Sequence, residues 1–399
     1  MRWPAIKSRE DRIYLFSAIV TLGFVFSIIF HYRSLYVGLG YPHITFLFRP
    51  DDYFNDFYNT FRAIVSGNPY RYSITMPYFP LIFLFLYPLR YLHPGLVLGI
   101  MLSLGFLLIG IINYTKILMP ISNPYLKFLL MVPLLLMPYP FLFSFDRANV
   151  EIILFVIIGL FVFAFKKDRR SSSLWLAIAI NIKLYPATLL LLYLVKKDYR
   201  KFGVTVLLTT LIGVASYALL AELTASSLLQ IVSDHAMQLK KFHMQYSSTM
   251  DGIIMGHSLW SVASYYLFST VQSHLMSQWM FFYALTVFAL FFLIAVFVLR
   301  IQLSFWKQLA LLMIPMIFFP YTSSDYTLIH LYFVVAVFLS EEKIEKGDFL
   351  DLFLLSLLFI PMDYIRLTGE ITSSVIIYPA VAMIFVVKNL LQGFLKSRL

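Results

Sequence analysis

A segment that enters and leaves the membrane on the same side constrains this chain more than any other feature. Basic clusters at 166–170 and 196–201 flank it, and basic loops beside apolar runs stay in the cytoplasm. One straight helix through residues 171–195 would place the two clusters on opposite sides. The polar, proline-containing stretch 181–186 interrupts the segment. We therefore expect two short helices joined by irregular backbone, which a membrane tolerates where the backbone lines a cavity.

The composition indicates an integral membrane protein. Of 399 residues, 60% are hydrophobic and 13% are charged, against about 25% charged residues in a soluble domain. The net charge of +11 comes from cations in short loops between apolar runs. That pattern sets topology and contacts anionic lipids, so we expect no nucleic-acid partner. Because the chain has no cysteine, disulfides, metal thiolates and cysteine nucleophiles are excluded.

Apolar runs of roughly 20 residues predict the membrane helices. They lie near residues 13–32, 95–115, 127–145, 149–166, 203–220, 276–299, 305–321, 325–340, 348–362 and 374–391. We therefore predict an all-α polytopic membrane protein with about ten full transmembrane helices, one domain over residues 1–399 and both termini in the cytoplasm. The charged loops make 77–92 and 258–272 re-entrant or interfacial helices on the opposite face. We expect the first apolar run to be a retained span and not a signal peptide, since no small-residue cleavage site follows it.

The first outer loop, residues 33–76, holds an unusual group of acids. Asp51, Asp52 and Asp56 lie beside a membrane surface, where a carboxylate is costly to hold and is a functional candidate. An amphipathic interfacial helix follows, with apolar residues at helical spacing: Phe57, Phe61, Ile64 and Val65. The first two acids could simply begin that helix, but this leaves the third without an explanation. An acid here could act as a general base toward an acceptor hydroxyl.

Other polar residues interrupt or begin the predicted membrane helices. Lys183 lies in an apolar hairpin, where it either reaches for a phosphate or extends its stem to the interface. Arg147 and Asn149 begin a span and either clamp a phosphate or hydroxyl or, for Arg147, pair with a neighbouring carboxylate. His257 and Ser258 either orient a substrate or cap an interfacial helix.

Motifs for nucleotide or metal chemistry are absent from the sequence. It contains no P-loop, no dinucleotide fingerprint and no Gly-x-Ser-x-Gly element, and its eight histidines show no metal-binding spacing. Nucleotide-driven chemistry therefore has no support. We expect neither a cofactor nor a metal.

Several short motifs, taken in order, resemble a known family. They are Asp52 or Asp56 followed by Gly67-Asn68-Pro69-Tyr70, then Tyr78-Phe79-Pro80-Leu81, Tyr87-Pro88-Leu89, Arg147-Ala148-Asn149-Val150-Glu151, Lys183-Leu184-Tyr185-Pro186, His257-Ser258-Leu259 and Ser324-Asp325-Tyr326. This order resembles the polyprenol-phosphate-mannose-dependent glycosyltransferases of family 87 in the GT-C superfamily. The chain departs from that family at Tyr326, where a histidine is usual and His330 could serve instead, and at Arg147, where glycine is usual.

The resemblance implies a GT-C-type bundle that transfers a sugar, mannose favoured, from a polyprenyl-phosphate donor to an acceptor glycan or glycolipid. It implies an inverting reaction on the extracytoplasmic face of the cell membrane, with Asp52 preferred as the base over Asp51 and Asp56. Lys183 would be the first contact of the donor phosphate. The other donor-site residues would be Tyr185, Arg147, Asn149, Tyr326 and His330. The expected substrate-binding residues are Tyr70, Tyr78, His257 and Ser258.

A transporter or lipid flippase without transferase activity is the main alternative. Broken helices and a lysine within the membrane are also features of transporters. The acids, however, lie in an outer loop and not across the midplane, and no repeat relates the two halves of the chain. A non-catalytic membrane scaffold would need neither Lys183 nor the clustered acids.

Overall fold

The computed structural model describes residues 8–38, 54–249, 252–253, 256–268, 276–342, 344–345, 347–362, 366–368 and 371–397. Within these ranges the secondary structure is helical, apart from a two-stranded antiparallel ribbon of β1 (Arg366–Thr368) and β2 (Ile371–Thr372). The predicted all-α polytopic membrane fold is confirmed.

The α-helices follow one another in chain order. They are α1 (Arg9–Tyr36), α2 (Asn55–Val65), α3 (Pro80–Leu86), α4 (Pro94–Ile112), α5 (Pro124–Leu135), α6 (Tyr139–Arg147), α7 (Glu151–Lys166), α8 (Ser171–Ile182), α9 (Leu191–Val195), α10 (Tyr199–Leu223), α11 (Leu228–Ser247), α12 (Leu259–Phe268), α13 (Met276–Arg300), α14 (Phe305–Phe318), α15 (Tyr332–Ser340), α16 (Asp348–Leu357) and α17 (Ser374–Ser397). The connecting 3-10 helices are Pro69–Arg71, Tyr87–Tyr91, Tyr185–Leu190 and Asp325–Leu331, and a π-helical turn, Asn113–Ile117, extends α4.

Among the described residues, five helices are long and apolar enough to cross a membrane, or up to six if a bent pair counts as one span. The five lie in α1, α4 with its π-helical extension, α10, α13 and α17. The bent pair is α5 and α6, which meet at 60°. Several of the roughly ten predicted spans are thus divided among shorter apolar helices. Prolines explain much of this division, because each removes a backbone donor and ends or bends a helix.

The segment between the two basic clusters is broken as predicted. α8 ends at Ile182, and Lys183 is extended, with φ −145° and ψ 144°. The 3-10 helix that begins at Tyr185 then continues into α9. Pro186 lacks the N–H that a continuing helix would need, so the break follows directly from the sequence.

The predicted amphipathic helix of the first outer loop is α2. Its residues Phe57, Phe61 and Ile64 are buried, whereas Val65 is 58% exposed. The Phe54 N–H donates a hydrogen bond to a backbone carbonyl at the end of α6, at 3.0 Å, and so ties the start of α2 to that helix. Asp51 and Asp52 lie outside the described residues.

The centre of the bundle is formed by α14 and α15. Nearly every side chain of these two helices is buried, as expected for helices that are apolar on all sides. The 3-10 helix between them carries Tyr326 and His330. At the periphery, an open groove of about 1030 Å³ runs along α4, with walls that include Leu96, Ile100 and Leu104.

Candidate active site

The candidate active site forms where helix ends and a helix break come together. α2 contributes Asp56, the turn between α6 and α7 contributes Asn149, and the break after α8 contributes Lys183. The 3-10 helix between α14 and α15 contributes Tyr326. We call the region where these four residues come together the chamber. Helix ends expose backbone polar groups, which suits them to a polar space within the protein and not to a lipid-facing surface.

The turn between α6 and α7 places two of the polar side chains. Ala148 adopts the left-handed conformation, with φ 46° and ψ 45°, at a cost of about 1–2 kcal/mol. The Asn149 side-chain oxygen accepts a hydrogen bond from the Glu151 N–H at 3.0 Å, in the manner of a helix cap. The Nδ2 of the same amide donates to Oδ2 of Asp56 at 2.7 Å. Asn149 therefore orients Asp56 and begins α7 at the same time.

Glu151 is the counter-charge of Lys183. Its carboxylate is fully buried, and Oε1 lies 2.5 Å from Nζ of Lys183. The other oxygen, Oε2, accepts hydrogen bonds from the hydroxyl of Tyr185 and from Nε2 of His330, the latter at 2.7 Å. Since both carboxylate oxygens are occupied and shielded from solvent, Glu151 is not placed to act as the base.

Three tyrosine rings surround the Lys183 ammonium. Its Nζ lies 5.2 Å from the centroid of the Tyr78 ring and 5.8 Å from the centroids of the Tyr185 and Tyr326 rings. Aromatic faces stabilise a cation that has lost much of its hydration. The lysine side chain is 19% exposed, so it is held firmly and still accessible.

Tyr78 links the lysine with Asp56. It lies in the extended segment before α3, outside the membrane-spanning helices. Burial, and then the Asp56 carboxylate, raise the pKa of Tyr78 well above its usual value of 10.0, so its hydroxyl stays protonated. The Asn149 side chain, which donates to Asp56 at 2.7 Å, also hydrogen-bonds the Tyr78 hydroxyl. The Tyr78 ring lies 5.2 Å from the Lys183 ammonium, so Tyr78 connects Asp56 with Lys183 through direct contacts.

His257 and Ser258 hold the segment that carries Tyr326. Both side chains are fully buried. The Nδ1 of His257 lies 2.7 Å from Oδ1 of Asp325, and its Nε2 lies 3.2 Å from Oγ of Ser323. Ser258 Oγ donates to the Tyr321 carbonyl at 3.1 Å. These contacts hold the segment before Tyr326 in place, and neither side chain has an exposed surface for a substrate in this conformation.

Two other predicted residues lie beside the chamber. The Tyr70 hydroxyl donates to the Tyr78 carbonyl at 2.9 Å, so Tyr70 supports the backbone of Tyr78. Arg147 closes α6, and its guanidinium lies 5.5 Å from the centroid of the Phe143 ring.

The structure joins most of the donor-site residues predicted from the sequence. Asn149, Lys183, Tyr185, Tyr326 and His330 meet around the chamber or the Glu151 carboxylate. The sequence-based prediction does not include Glu151 itself. A signal for it was present, because a lysine within a membrane calls for a nearby counter-charge.

The described side chains supply a carboxylate, a cation and a protonated hydroxyl. No group of three or more His, Cys, Asp or Glu side chains in this part of the chain could hold a metal ion. A carboxylate and a cation across one chamber can take a proton from a hydroxyl and bind an anion, which are two elements of group transfer.

The fold and the chamber define a multi-pass helical membrane protein equipped for transfer chemistry. The model of glycosyltransferase family 87 matches residues 77–314, which is more than half of the chain. The chain therefore belongs to glycosyltransferase family 87, and the resemblance seen in the sequence is confirmed. A search of curated proteins found no match. The matched range includes Tyr78, Asn149 and Lys183, whereas Asp56 and Tyr326 lie outside it.

Proposed function

We propose that the protein is an inverting glycosyltransferase that moves a sugar, mannose favoured, from a polyprenyl-phosphate donor to an acceptor glycan or glycolipid on the extracytoplasmic face. Family membership supports sugar transfer. The observation that carries the remainder is the position of Asp56 and Lys183 around Tyr78. A base and a phosphate-binding cation on two sides of one space suit a single displacement at a sugar carbon. The proposal needs no cofactor and no metal.

Asp56 is the proposed base. Its carboxylate is oriented by the 2.7 Å hydrogen bond from Asn149. The acceptor hydroxyl gives its proton to Asp56 while the hydroxyl oxygen bonds to the anomeric carbon from one face. The bond from that carbon to the phosphate oxygen breaks on the opposite face, and its electron pair leaves with the polyprenyl phosphate. Attack and departure on opposite faces invert the configuration of the carbon.

Lys183 is the proposed partner of the leaving phosphate. As the bond breaks, the phosphate gains negative charge, and a positive charge already in place stabilises this change without reorganisation. The ion pair with Glu151 and the three tyrosine rings hold the ammonium in position before the donor arrives. The apolar groove along the exposed face of α4 offers a place for the isoprenoid chain.

Replacement of Asp56 by Asn tests the proposal. Membranes from cells that express the protein supply the acceptors, and polyprenyl-phosphate mannose labelled in the sugar is the donor. We expect kcat to fall by about 10²–10⁴-fold with little change in donor KM, because the amide can still accept from Asn149 but cannot take a proton. The control is Asp168→Asn, a change in an exposed acid on the basic loop after α7 whose left-handed backbone suits asparagine.

Two results would count against the proposal. Wild-type turnover in Asp56→Asn would remove this carboxylate from the mechanism. No transfer by the wild-type protein from polyprenyl-phosphate mannose or from other polyprenyl-phosphate sugars would reject this donor class and favour the transporter alternative.

A further inference from the structure

We propose that Glu151 is a positioning residue that sets the place and direction of the Lys183 ammonium for the donor phosphate, without touching the donor itself. This inference rests on the proposed function, in which Lys183 stabilises the leaving phosphate. It concerns a residue that the sequence motifs alone do not single out.

The burial of Glu151 separates it from any substrate. Its side chain is fully buried at the start of α7, and Lys183 covers Oε1 at 2.5 Å. The Tyr185 hydroxyl and His330 Nε2 cover Oε2. A carboxylate with three donors and no exposed surface can orient its partners but cannot approach an acceptor hydroxyl.

Lys183 needs this kind of support. A lysine side chain loses much rotamer freedom when it is fixed in one position. Its backbone lies in an extended break and not in a helix, so no regular packing of a helix face restrains it. The ion pair with Glu151 holds the ammonium from one direction, and the rings of Tyr78 and Tyr326 lie around it.

The two carboxylate oxygens of Glu151 bind different partners. Lys183 uses Oε1, whereas Tyr185 and His330 use Oε2. The carboxylate therefore stays fixed from the Oε2 side when the ammonium shares its charge with a phosphate. His330 is itself buried, and its Nδ1 has no hydrogen-bond partner among the described residues, so the bond from Nε2 to Glu151 fixes its ring together with the neighbouring rings of Phe155 and Tyr185.

Replacement of Glu151 by Gln tests the inference. Glutamine has the same size, but its amide group donates where Glu151 only accepts, so it cannot receive all three donors. We expect kcat to fall by about 10- to 100-fold, the range expected when a catalytic group is misplaced by about an ångström. Donor KM should rise by less than about threefold, because the charge of Lys183 remains and its counter-charge is gone. Glu151→Asp, which keeps the charge on a shorter stem, should recover part of the lost kcat.

Asp351→Asn is the matched control. Asp351 is a second fully buried carboxylate, paired with Lys388 at 2.6 Å and with Asn389 at 2.9 Å, on helices α16 and α17. Both changes remove a buried negative charge from a lysine, so both should lower the thermal unfolding temperature. Only Glu151→Gln should lower turnover per folded molecule.

A readout that does not require catalysis separates this inference from the proposed function. The rate at which an amine-reactive reagent modifies Lys183, followed by mass spectrometry, should rise several-fold in Glu151→Gln and stay at the wild-type value in Asp351→Asn. Unchanged Lys183 reactivity together with wild-type kcat would overturn the inference. Faster modification without sugar transfer by the wild-type protein would support the positioning role and reject the proposed donor.

Discussion

Asn149 contacts Asp56 of the chamber and the buried Glu151 with one amide group. It donates to Asp56 and accepts from the Glu151 N–H. Two residues beside it have left-handed backbones without being glycine: Phe54, with φ 54°, precedes α2, and Ala148, with φ 46°, precedes α7. Each such residue costs about 1–3 kcal/mol and persists only where its surroundings require it. Here both bring a polar side chain to the chamber.

His235 illustrates how the outer segments depend on a neutral side chain. It lies on α11, outside the membrane-spanning helices, with its ring stacked on Tyr70 at 4.6 Å and Nδ1 2.5 Å from the Tyr217 hydroxyl. Burial lowers the pKa of His235 from 6.5 to about 4. As the pH falls from 6.5 toward 4, the unfolded chain takes up a proton that the folded chain excludes. Stability from this residue is therefore complete above pH 6.5 and is lost as the pH falls through that window.

As the pH falls from 7 to 5, the uptake of a proton by His235 in the unfolded chain should lower the free energy of unfolding by about 2 kcal/mol. His235→Phe keeps a ring against Tyr70 but cannot titrate. It should be less stable than wild type at pH 7, because the Tyr217 hydroxyl loses its partner, and should show a flatter pH dependence. Unfolding of the purified protein in detergent across this range measures both effects. Equal slopes for the two proteins would assign the pH dependence to other groups.

At the scale of helices, the crossing of α4 and α7 depends on a glycine. A Cβ at Gly105 would lie 2.9 Å from side-chain atoms of Ile152 and of Phe145. Ile152 directly follows Glu151, so crowding here would push on the first turn of α7. Gly99, two turns earlier on α4, has nothing within 4 Å of the same added atom.

Gly105→Ala and Gly99→Ala should therefore have opposite effects. Both gain the same helix propensity, up to about 1 kcal/mol, so Gly99→Ala should be neutral or slightly stabilising. Overpacking at Gly105 should outweigh that gain and destabilise the protein by about 1–3 kcal/mol. Thermal unfolding of the two purified variants makes the comparison. Equal stability would mean that α4 can move away from α7 at little cost.

The helices show which parts of the site could be predicted from the sequence. The break in residues 171–195 and the helix α2 follow from local signals, namely a proline, flanking basic clusters and helical spacing. The number of full spans is harder to predict from the sequence, since the length of an apolar run does not show where breaks in the backbone divide it. The pairing of Glu151 with Lys183 joins residues 32 positions apart on different elements, and that with His330 joins residues 179 apart. Such pairs depend on how the helices pack, which no local pattern records.

In the part of the chain that the structure describes, many of the buried polar groups lie in two regions. One is the chamber. The other contains buried ion pairs and hydrogen bonds at the predicted cytoplasmic end, where Lys307 on α14 pairs with Asp348 on α16 at 2.6 Å. Arg12 on α1 donates to the carbonyl oxygens of Phe338 and Glu341 at the end of α15.

The orientation of these two regions decides whether the chamber faces away from the cytoplasm. Gln238 on α11 donates to the Tyr70 carbonyl at 2.6 Å, and the Tyr70 hydroxyl donates to the Tyr78 carbonyl at 2.9 Å, so α11 packs beside the chamber. Lys240 is exposed on the same helix, and Lys166 is exposed at the end of α7, in the first basic cluster. Because the chain has no cysteine, Lys240→Cys and Lys166→Cys each provide a single thiol without background.

We expect a membrane-impermeant maleimide to label Lys240→Cys in intact cells and Lys166→Cys only after the membrane is permeabilised, because basic clusters stay in the cytoplasm. Full labelling of both thiols in permeabilised cells controls for their accessibility. The reverse pattern would place Asp56 and Lys183 on the cytoplasmic side and contradict transfer at the outer face. If both thiols were labelled in intact cells, they would lie on the same side of the membrane. Because the span in α10 also lies between them, residues 171–195 would then have to cross the membrane, and the predicted return of this segment would be wrong.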